Sequence, residues 1–144
     1  MQSFKKKRII ISGGSRGIGL AIAKRMGRDG ARVAILAKTQ NPHPKLKGTI
    51  FSAAKEIEEA GGFGLPIVTD VRDENAIQVA VEKTVETFGG LDVCINNAGA
   101  IFLNDTSSTN LKRFDLMFDV NVRATFTLSK FCIPHLLRGK NPHI

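Results

Sequence analysis

The stretch SGGSRGIG, residues 12–19, stands between a short apolar run and a helical pattern. The apolar run at residues 8–11 predicts a buried strand, and the pattern that follows predicts a helix. Gly13, Gly17 and Gly19 fall in the turn between them. Glycine allows a sharp bend and the close approach of a pyrophosphate, while the helix N-terminus offers free N–H groups. The stretch therefore predicts a dinucleotide-binding turn, with a plain tight turn as the alternative.

Strand and helix patterns alternate along the chain. Strands are predicted at 8–11, 33–37, 65–68 and 91–95, and helices at 17–28, 52–60, 73–88 and 108–137, the last disturbed at Pro134. Residues 39–50, which carry two prolines and a glycine, are predicted to form a loop. This alternation favours a parallel sheet with helices on both faces. We therefore expect an α/β, Rossmann-type doubly wound parallel sheet, with residues 1–144 forming one dinucleotide-binding domain.

Composition excludes several classes of protein. The chain has a net charge of +8, and it contains no tyrosine and no tryptophan. Its basic residues are spread along the chain apart from residues 5–8, and nothing resembles a zinc finger, so we expect no nucleic-acid partner. No apolar run reaches the roughly 18 residues of a membrane span. The start lacks the features of a signal peptide, so we expect a cytoplasmic protein without a membrane partner.

The histidines and cysteines predict no metal site. His43, His135 and His143 lack the spacing of metal ligands, and Cys94 and Cys132 are isolated from each other in the sequence. Both cysteines fall in apolar segments, which predicts buried, reduced thiols and fits a reducing compartment.

The end of the second predicted strand indicates which dinucleotide is bound. An acidic side chain is typical at this position when the ribose 2′-hydroxyl of NAD is bound. Here the segment VAILAKT carries Ala37 and Lys38, and it has no carboxylate. A cation suits a 2′-phosphate, so the cofactor is predicted to be NADP rather than NAD, with help from Arg16. A solvated lysine at a strand end is the alternative.

Four motifs follow one another in order: SGGSRGIG, TDVRD, NNAG and DVNVRATF. Together they resemble the short-chain dehydrogenase/reductase family over essentially the whole chain. The segment AKTQNPHPKLKGTIFSAAKEIEEAGG is similar to the hydroxysteroid dehydrogenase-like subgroup. The resemblance implies hydride transfer between a nicotinamide dinucleotide and a small-molecule alcohol or carbonyl substrate. It also implies a homo-oligomer, because the long helix commonly forms a dimer interface in family members.

The resemblance assigns cofactor contacts to two groups of residues. In the glycine turn these are Gly13, Ser15, Arg16, Gly17, Ile18 and Gly19. At the strand ends they are Lys38, Asp70, Val71, Asn97, Ala98 and Gly99. The Asp-Val pair is expected beside the adenine ring, and the NNAG turn is expected to steady the sheet. The alternatives are that the aspartate caps the helix beginning near residue 73 and that NNAG is only a turn.

Asn121 matches the asparagine of the family's catalytic tetrad, whose backbone holds a water in the proton relay. Asparagine is unfavourable inside a helix, so its presence in a helical pattern needs a reason. A structural water or a local kink is the alternative to a catalytic role.

The other catalytic residues of the family have no counterpart in the chain. Family members move the substrate proton with a tyrosine phenol whose pKa is lowered by a nearby lysine and the nicotinamide. The resemblance places the missing serine on the next strand and Y-x-x-x-K on the helix after it. We therefore expect a sheet truncated after its fourth strand and following helix, with residues 96–100 facing solvent along an exposed edge.

Two functions remain open at this point. The first is an NADP-dependent oxidoreductase of which these residues are the cofactor-binding part. The second is a non-catalytic nucleotide-binding fragment, or a degenerate gene product that acts through partners. The intact motifs favour the first function, whereas the absence of tyrosine favours the second for this chain alone.

Overall fold

The computed structural model describes residues 3–45 and 47–144, and within them four parallel strands form one sheet. The strands are β1 (Arg8–Ser12), β2 (Arg32–Ala37), β3 (Phe63–Val68) and β4 (Val93–Asn96). The helices are α1 (Gly17–Arg28), α2 (Ile50–Glu59), α3 (Glu74–Phe88), α4 (Leu111–Phe118) and α5 (Ala124–Leu136). The strand order is β3-β2-β1-β4, so the winding reverses between β1 and β4. The predicted Rossmann-type α/β fold is confirmed.

Both faces of the sheet are covered, because alternate strand residues point to opposite sides. On one side the core consists chiefly of Ile9, Ile11, Val33, Ile35, Ala23 of α1 and Ile57 of α2. On the other side it consists chiefly of Ile10, Leu36, Ile77 and Val81 of α3, and Leu128 of α5. This burial on both faces explains why the strands were visible in the sequence as continuous apolar runs.

Cys94 and Cys132 are buried free thiols, as predicted, in the core on the α3 and α5 side. The hydrogen bond with Cys94, together with burial, raises the pKa of the Cys132 thiol. That thiol therefore stays protonated and belongs to the packing of β4 against α5.

Several element boundaries differ from prediction. Helix α2 begins at Ile50, inside the predicted loop, because Thr49 and Ser52 form a capping box. Leu46, in the same predicted loop, lies outside the described residues. Strand β3 begins at Phe63 and accommodates Pro66, which an edge strand tolerates.

The long helix predicted at 108–137 is divided into three parts. Asn110 caps α4 by accepting a hydrogen bond from the N–H of Arg113 at 3.0 Å. A π-helical turn over Asp119–Arg123 separates α4 from α5. The predicted disturbance at Pro134 is wrong, because α5 continues through that proline to Leu136. None of the helices in the described parts of the chain is both long and apolar enough to cross a membrane.

Strand β4 lies at one edge of the sheet, but its first residues have a partner. His143 forms an isolated parallel bridge with Val93, and its carbonyl oxygen accepts a hydrogen bond from the N–H of Cys94 at 3.0 Å. The expectation that residues 96–100 face solvent is largely wrong, because only Gly99 among them is exposed. The turn after β4 is held against the end of β1 by hydrogen bonds.

An ion pair fastens the start of β1 to the segment before β4. Asp92 is 6% exposed, and its carboxylate accepts hydrogen bonds from the backbone N–H, Nε and Nη2 of Arg8, each at 2.9 Å. Burial raises the pKa of Asp92, but the hydrogen bonds from Arg8 outweigh that effect and lower the pKa below its ordinary value. The backbone bends at Asp92, so β4 begins at Val93 rather than at the predicted Leu91.

Asp92→Asn is expected to lower the free energy of unfolding by about 2 kcal/mol, because Arg8 loses its charged acceptor. Urea denaturation at neutral pH measures the change, and Asp115→Asn, at an exposed position on α4, serves as the control. Because the folded-state pKa of Asp92 is lowered, the ion pair stabilises the fold at neutral pH. The difference from wild type should shrink as the pH falls below about 4. Equal losses in the two variants would contradict this assignment.

Candidate functional site

The glycine turn joins β1 to α1 at the carboxyl end of the sheet. Gly13 and Gly17 adopt left-handed φ angles of 71° and 54°. A Cβ atom on Gly13 would lie 2.9 Å from the Cα of Ala98. A Cβ atom on Gly19 would overlap the carbonyl oxygen of Gly13 and the side-chain amide of Asn97. Gly17 is therefore required for its backbone conformation and Gly19 for the lack of space, whereas Gly13 is required for both reasons.

The start of α1 is open at this turn. Arg16 is its N-cap residue, and the arginine side chain does not cap the helix. It instead donates a hydrogen bond from Nη2 to Thr39 Oγ1 at 2.7 Å, which connects the turn to the segment after β2. Ser15 is 4% exposed, whereas Ile18 is 76% exposed although it is apolar. An uncapped helix N-terminus beside an exposed apolar side chain is suited to a ligand with anionic and apolar parts.

The NNAG turn after β4 is bonded to the glycine turn. Asn97 Nδ2 donates to the carbonyl oxygens of Ser12 and Gly13, at 3.1 and 2.9 Å. Ser12 Oγ accepts from the N–H groups of Asn97 and Ala98, at 3.2 and 3.1 Å. The NNAG segment is therefore more than a local turn, because it fixes the position of the glycine turn.

The ends of β2 and β3 carry a cluster of charges. Lys38 Nζ lies 3.2 Å from Asp70 Oδ2, and Arg72 donates to both carboxylate oxygens of Asp70, at 3.0 and 2.7 Å. The hydrogen bonds from Arg72 hold the pKa of Asp70 well below its usual range. Burial acts in the opposite direction, and Lys38 adds to the lowering. The helix-capping alternative for Asp70 is wrong, since Asp73 caps α3. Lys38 is 60% exposed and is paired rather than merely solvated.

A cavity of about 430 Å³ opens above these strand ends. Six of the predicted residues line it: Gly13, Lys38, Asp70, Val71, Ala98 and Gly99. Leu116 and Val120, from the long helix, form part of its wall. The structure thus brings together residues from all four sequence motifs. The predicted residues that do not line this cavity are Ser15, Arg16, Gly17, Ile18, Gly19, Asn97 and Asn121.

Asn121 lies in the π-helical turn and is exposed. Its Oδ1 accepts from the N–H of Ala100 at 2.9 Å, and its Nδ2 donates to the carbonyl oxygen of Ala100 at 2.8 Å. The side chain therefore pairs with the backbone that follows NNAG, at the point where the helix changes to a π turn. The backbone around Asn121 forms a π turn, a feature that is frequent at functional sites.

Sequence reasoning missed three residues of this site. Ser12 accepts the two N–H groups of the NNAG turn, Thr39 accepts from Arg16, and Arg72 holds Asp70. The signals were available but weak. Ser12 ends a strand directly before Gly13, Thr39 follows Lys38, and Arg72 stands two residues after Asp70 in TDVRD.

Gly19→Ala is expected to lower the free energy of unfolding by about 3 kcal/mol, because the glycine turn must move away from Asn97. Gly17→Ala is the matched control, because a Cβ there meets nothing within 4 Å and only the φ of 54° is unfavourable. It is expected to cost about 1 kcal/mol. Urea denaturation compares the two variants, and equal costs would contradict the packing described for Gly19.

Comparison with known proteins gives a consistent set of relatives. A family model described as short chain dehydrogenase matches residues 7–144. Hydroxysteroid dehydrogenase-like protein 2 from Danio rerio is 59% identical over 136 residues, covering 94% of this chain and 33% of that protein. The human protein of the same name is 54% identical, with coverages of 94% and 32%.

Solved structures agree with this assignment. A short-chain dehydrogenase from Mycobacterium thermoresistibile is 60% identical with a TM-score of 0.96, covering 99% of this chain and 51% of that chain. A putative dehydrogenase from Xanthomonas campestris is 52% identical with a TM-score of 0.97, with coverages of 99% and 53%. NADH-dependent reductase A1-R′ complexed with NAD is 34% identical with a TM-score of 0.80, covering 92% and 53%.

This chain spans about a third of the length of the curated relatives and about half of the solved chains. Its four motifs, the parallel sheet and the bonded pair of turns agree with the family match over residues 7–144. The chain belongs to the short-chain dehydrogenase family, whose members are NAD(P)-dependent oxidoreductases.

Proposed function

We propose that this chain binds NADP as the cofactor-binding part of an oxidoreductase that acts on a small-molecule alcohol or carbonyl compound. On this proposal, residues 1–144 form one dinucleotide-binding domain of a cytoplasmic protein. The observation that carries the proposal is the bonding of the glycine turn to the NNAG turn beside a cavity lined by Lys38 and Asp70. Two buried free thiols fit the reducing compartment.

The residues present fit a dinucleotide. The uncapped N-terminus of α1 offers N–H groups to a pyrophosphate, and the space beside Gly17 is open, since a Cβ there would meet nothing within 4 Å. Asp70 and Val71 are assigned to the adenine side of the cavity, and Ala98 and Gly99 to the wall beyond it. On this assignment Ser15, Arg16, Gly17, Ile18 and Asn97 complete the glycine-turn side of the cofactor site.

The choice of NADP over NAD rests on charge. Lys38 and Arg72 together outnumber the carboxylate of Asp70 at the ends of β2 and β3, and Arg16 reaches the same region through Thr39. A 2′-phosphate favours such a surplus of cations, since each N–H donor gains a charged acceptor. NAD remains the alternative, and one solved relative is an NADH-dependent reductase complexed with NAD.

In this function the cofactor supplies the hydride, and the protein supplies binding, orientation and proton transfer. Asn121 is assigned to proton transfer. Its side chain is occupied by Ala100, and the π turn changes the backbone hydrogen-bonding pattern around it. The backbone at Asn121, rather than its amide group, is therefore the part proposed to hold a water.

A homo-oligomer is part of the proposal. Exposed apolar side chains recur every three or four residues along α4, the π turn and α5, which gives the long helix an apolar face. They are Leu111, Phe114, Phe118, Val122 and Phe126. We propose that this face packs against a second copy of the protein.

Lys38→Asp is expected to weaken NADPH binding at least about tenfold, because a repulsive carboxylate replaces the cation for the 2′-phosphate, while NADH binding is kept or improved. Isothermal titration calorimetry with both dinucleotides measures the ratio of affinities. Lys45→Asp, at an exposed position in the following loop, is the charge-matched control, and Lys38→Gln removes the cation without adding a charge. An unchanged affinity ratio in both Lys38 variants would rule out Lys38 as the discriminating residue.

The 144-residue chain is expected to bind NADPH weakly and to reduce or oxidise no substrate, because its sequence has no tyrosine phenol to move the proton. The measurement is NADPH titration followed by an absorbance assay of cofactor turnover with a panel of alcohols and carbonyl compounds. Robust turnover by the purified chain would contradict the inactivity, whereas a lack of binding to either dinucleotide would contradict the proposed function itself.

A further inference from the structure

A cluster of cationic side chains surrounds an open depression of about 750 Å³ at the amino end of the sheet. Its cations are Lys5, Lys6, Lys7, Arg8, Arg32, Arg138 and Lys140. Among the described residues that line the depression, Asp92 is the one carboxylate. The lysines of residues 5–7 were visible in the sequence as a run, but the fold adds cations from distant parts of the chain.

Backbone contacts hold these segments together. Lys7 Nζ donates to the carbonyl oxygen of Lys140 at 3.1 Å, across 133 positions of sequence. Lys6 has a left-handed φ of 62°, and its N–H donates to the carbonyl oxygen of Gly30 at 3.1 Å. A Cβ on Gly139 would lie 2.9 Å from the carbonyl oxygen of Leu91, so the 138–140 segment packs closely against the start of β4. The cations are therefore gathered by the fold.

The single carboxylate leaves most of this positive charge uncompensated. Asp92 is already engaged by Arg8 through two side-chain hydrogen bonds. Arg32 donates to the carbonyl oxygen of Phe88 at 3.3 Å and lies over the Phe88 ring at 5.1 Å from the centroid. These contacts hold the guanidinium groups of Arg8 and Arg32 in fixed positions within the depression. Among the described residues, the side chains of Lys5, Lys6 and Lys140 have no hydrogen-bond or ion-pair partner, and all three are exposed, so they can reach a ligand.

We propose that this depression is a second anion site, which takes a ligand with clustered phosphate groups. Lysines bind phosphate as point charges, and several of them around one depression suit a group that carries more than one negative charge. The volume lies within the range of small-molecule sites and exceeds what a single phosphate needs. Arg8 and Arg32 are the first residues of β1 and β2, so the depression lies at the opposite end of the sheet from the cofactor cavity.

The test is a titration of the 15N-labelled chain with inorganic tripolyphosphate, followed by amide NMR shifts. The expected shifts fall on residues 5–8 and 138–140, and the affinity falls when NaCl is raised from about 50 to about 200 mM. Shifts confined to the glycine turn at residues 12–19 would overturn the proposal, because the anion would then occupy the cofactor site. That outcome would leave the proposed cofactor function standing.

Charge reversal separates this site from the general charge of the protein. Lys5→Glu/Lys140→Glu is expected to weaken tripolyphosphate binding at least about tenfold. Lys55→Glu/Lys83→Glu changes the net charge of +8 by the same amount at exposed positions on α2 and α3, and it is expected to change the affinity less than about threefold. Equal losses in the two double variants would overturn the proposal. NADPH affinity measured in both variants reports separately on the cofactor site.

Two sources could supply the phosphate groups, a soluble polyphosphorylated molecule or a phospholipid headgroup. Co-sedimentation with vesicles of phosphatidylcholine containing a phosphoinositide distinguishes them from tripolyphosphate in solution. Binding to tripolyphosphate alone identifies a soluble ligand, whereas binding to the vesicles that the Lys5/Lys140 variant loses identifies a headgroup. Absence of binding to both probes by the wild-type chain would overturn the proposal.

Discussion

The side-chain amide of Asn97 holds the two turns on which the rest of the candidate site depends. Its two hydrogen bonds to the carbonyl oxygens of Ser12 and Gly13 connect the end of β4 to the end of β1. Ser12 Oγ completes the connection by accepting hydrogen bonds from the backbone N–H groups of Asn97 and Ala98. Ser12 is buried, and Gly13, Asn97 and Ala98 are half-buried, so each unpaired donor or acceptor would carry a desolvation cost. The bonding therefore favours one geometry of both turns, and it occupies the space that a side chain at Gly19 would need.

The ends of β2 and β3 add an electrostatic constraint to this geometric one. Asp70 is shared by Lys38 and Arg72, so its carboxylate offsets part of their positive charge before any ligand arrives. A 2′-phosphate near Lys38 must compete with Asp70 for the same ammonium group. Because Lys38 is 60% exposed, its ion pair with Asp70 is screened and contributes little to stability. The competition therefore costs little, and Arg72 remains to hold Asp70 in place.

The sequence was sufficient for the order of the elements, because β1 and β2 are buried on both faces and helices α1, α2 and α3 each have an apolar side. It was insufficient where a side chain forms hydrogen bonds with residues that are distant in the sequence. Strand β4 begins directly after Asp92, whose carboxylate binds Arg8, 84 positions away. The π turn contains Asn121, whose side chain pairs with Ala100, 21 positions away. The motifs located the glycine and NNAG turns, but only the fold shows that Ser12 joins them.

The direction of a parallel sheet explains why this molecule has two separate positive regions. The carboxyl ends of all four strands lie on the same side of the molecule, which gathers Lys38 and Arg72 beside the cavity at the strand ends. The amino ends of all four strands lie on the opposite side, which gathers Arg8 and Arg32 with the basic segments at residues 5–7 and 138–140. The two ends of a five- or six-residue strand lie roughly 15–20 Å apart, well beyond the Debye length of about 8 Å at physiological salt. Charges at one end of the strands are therefore largely screened from charges at the other end, so a substitution in one region changes the potential at the other very little.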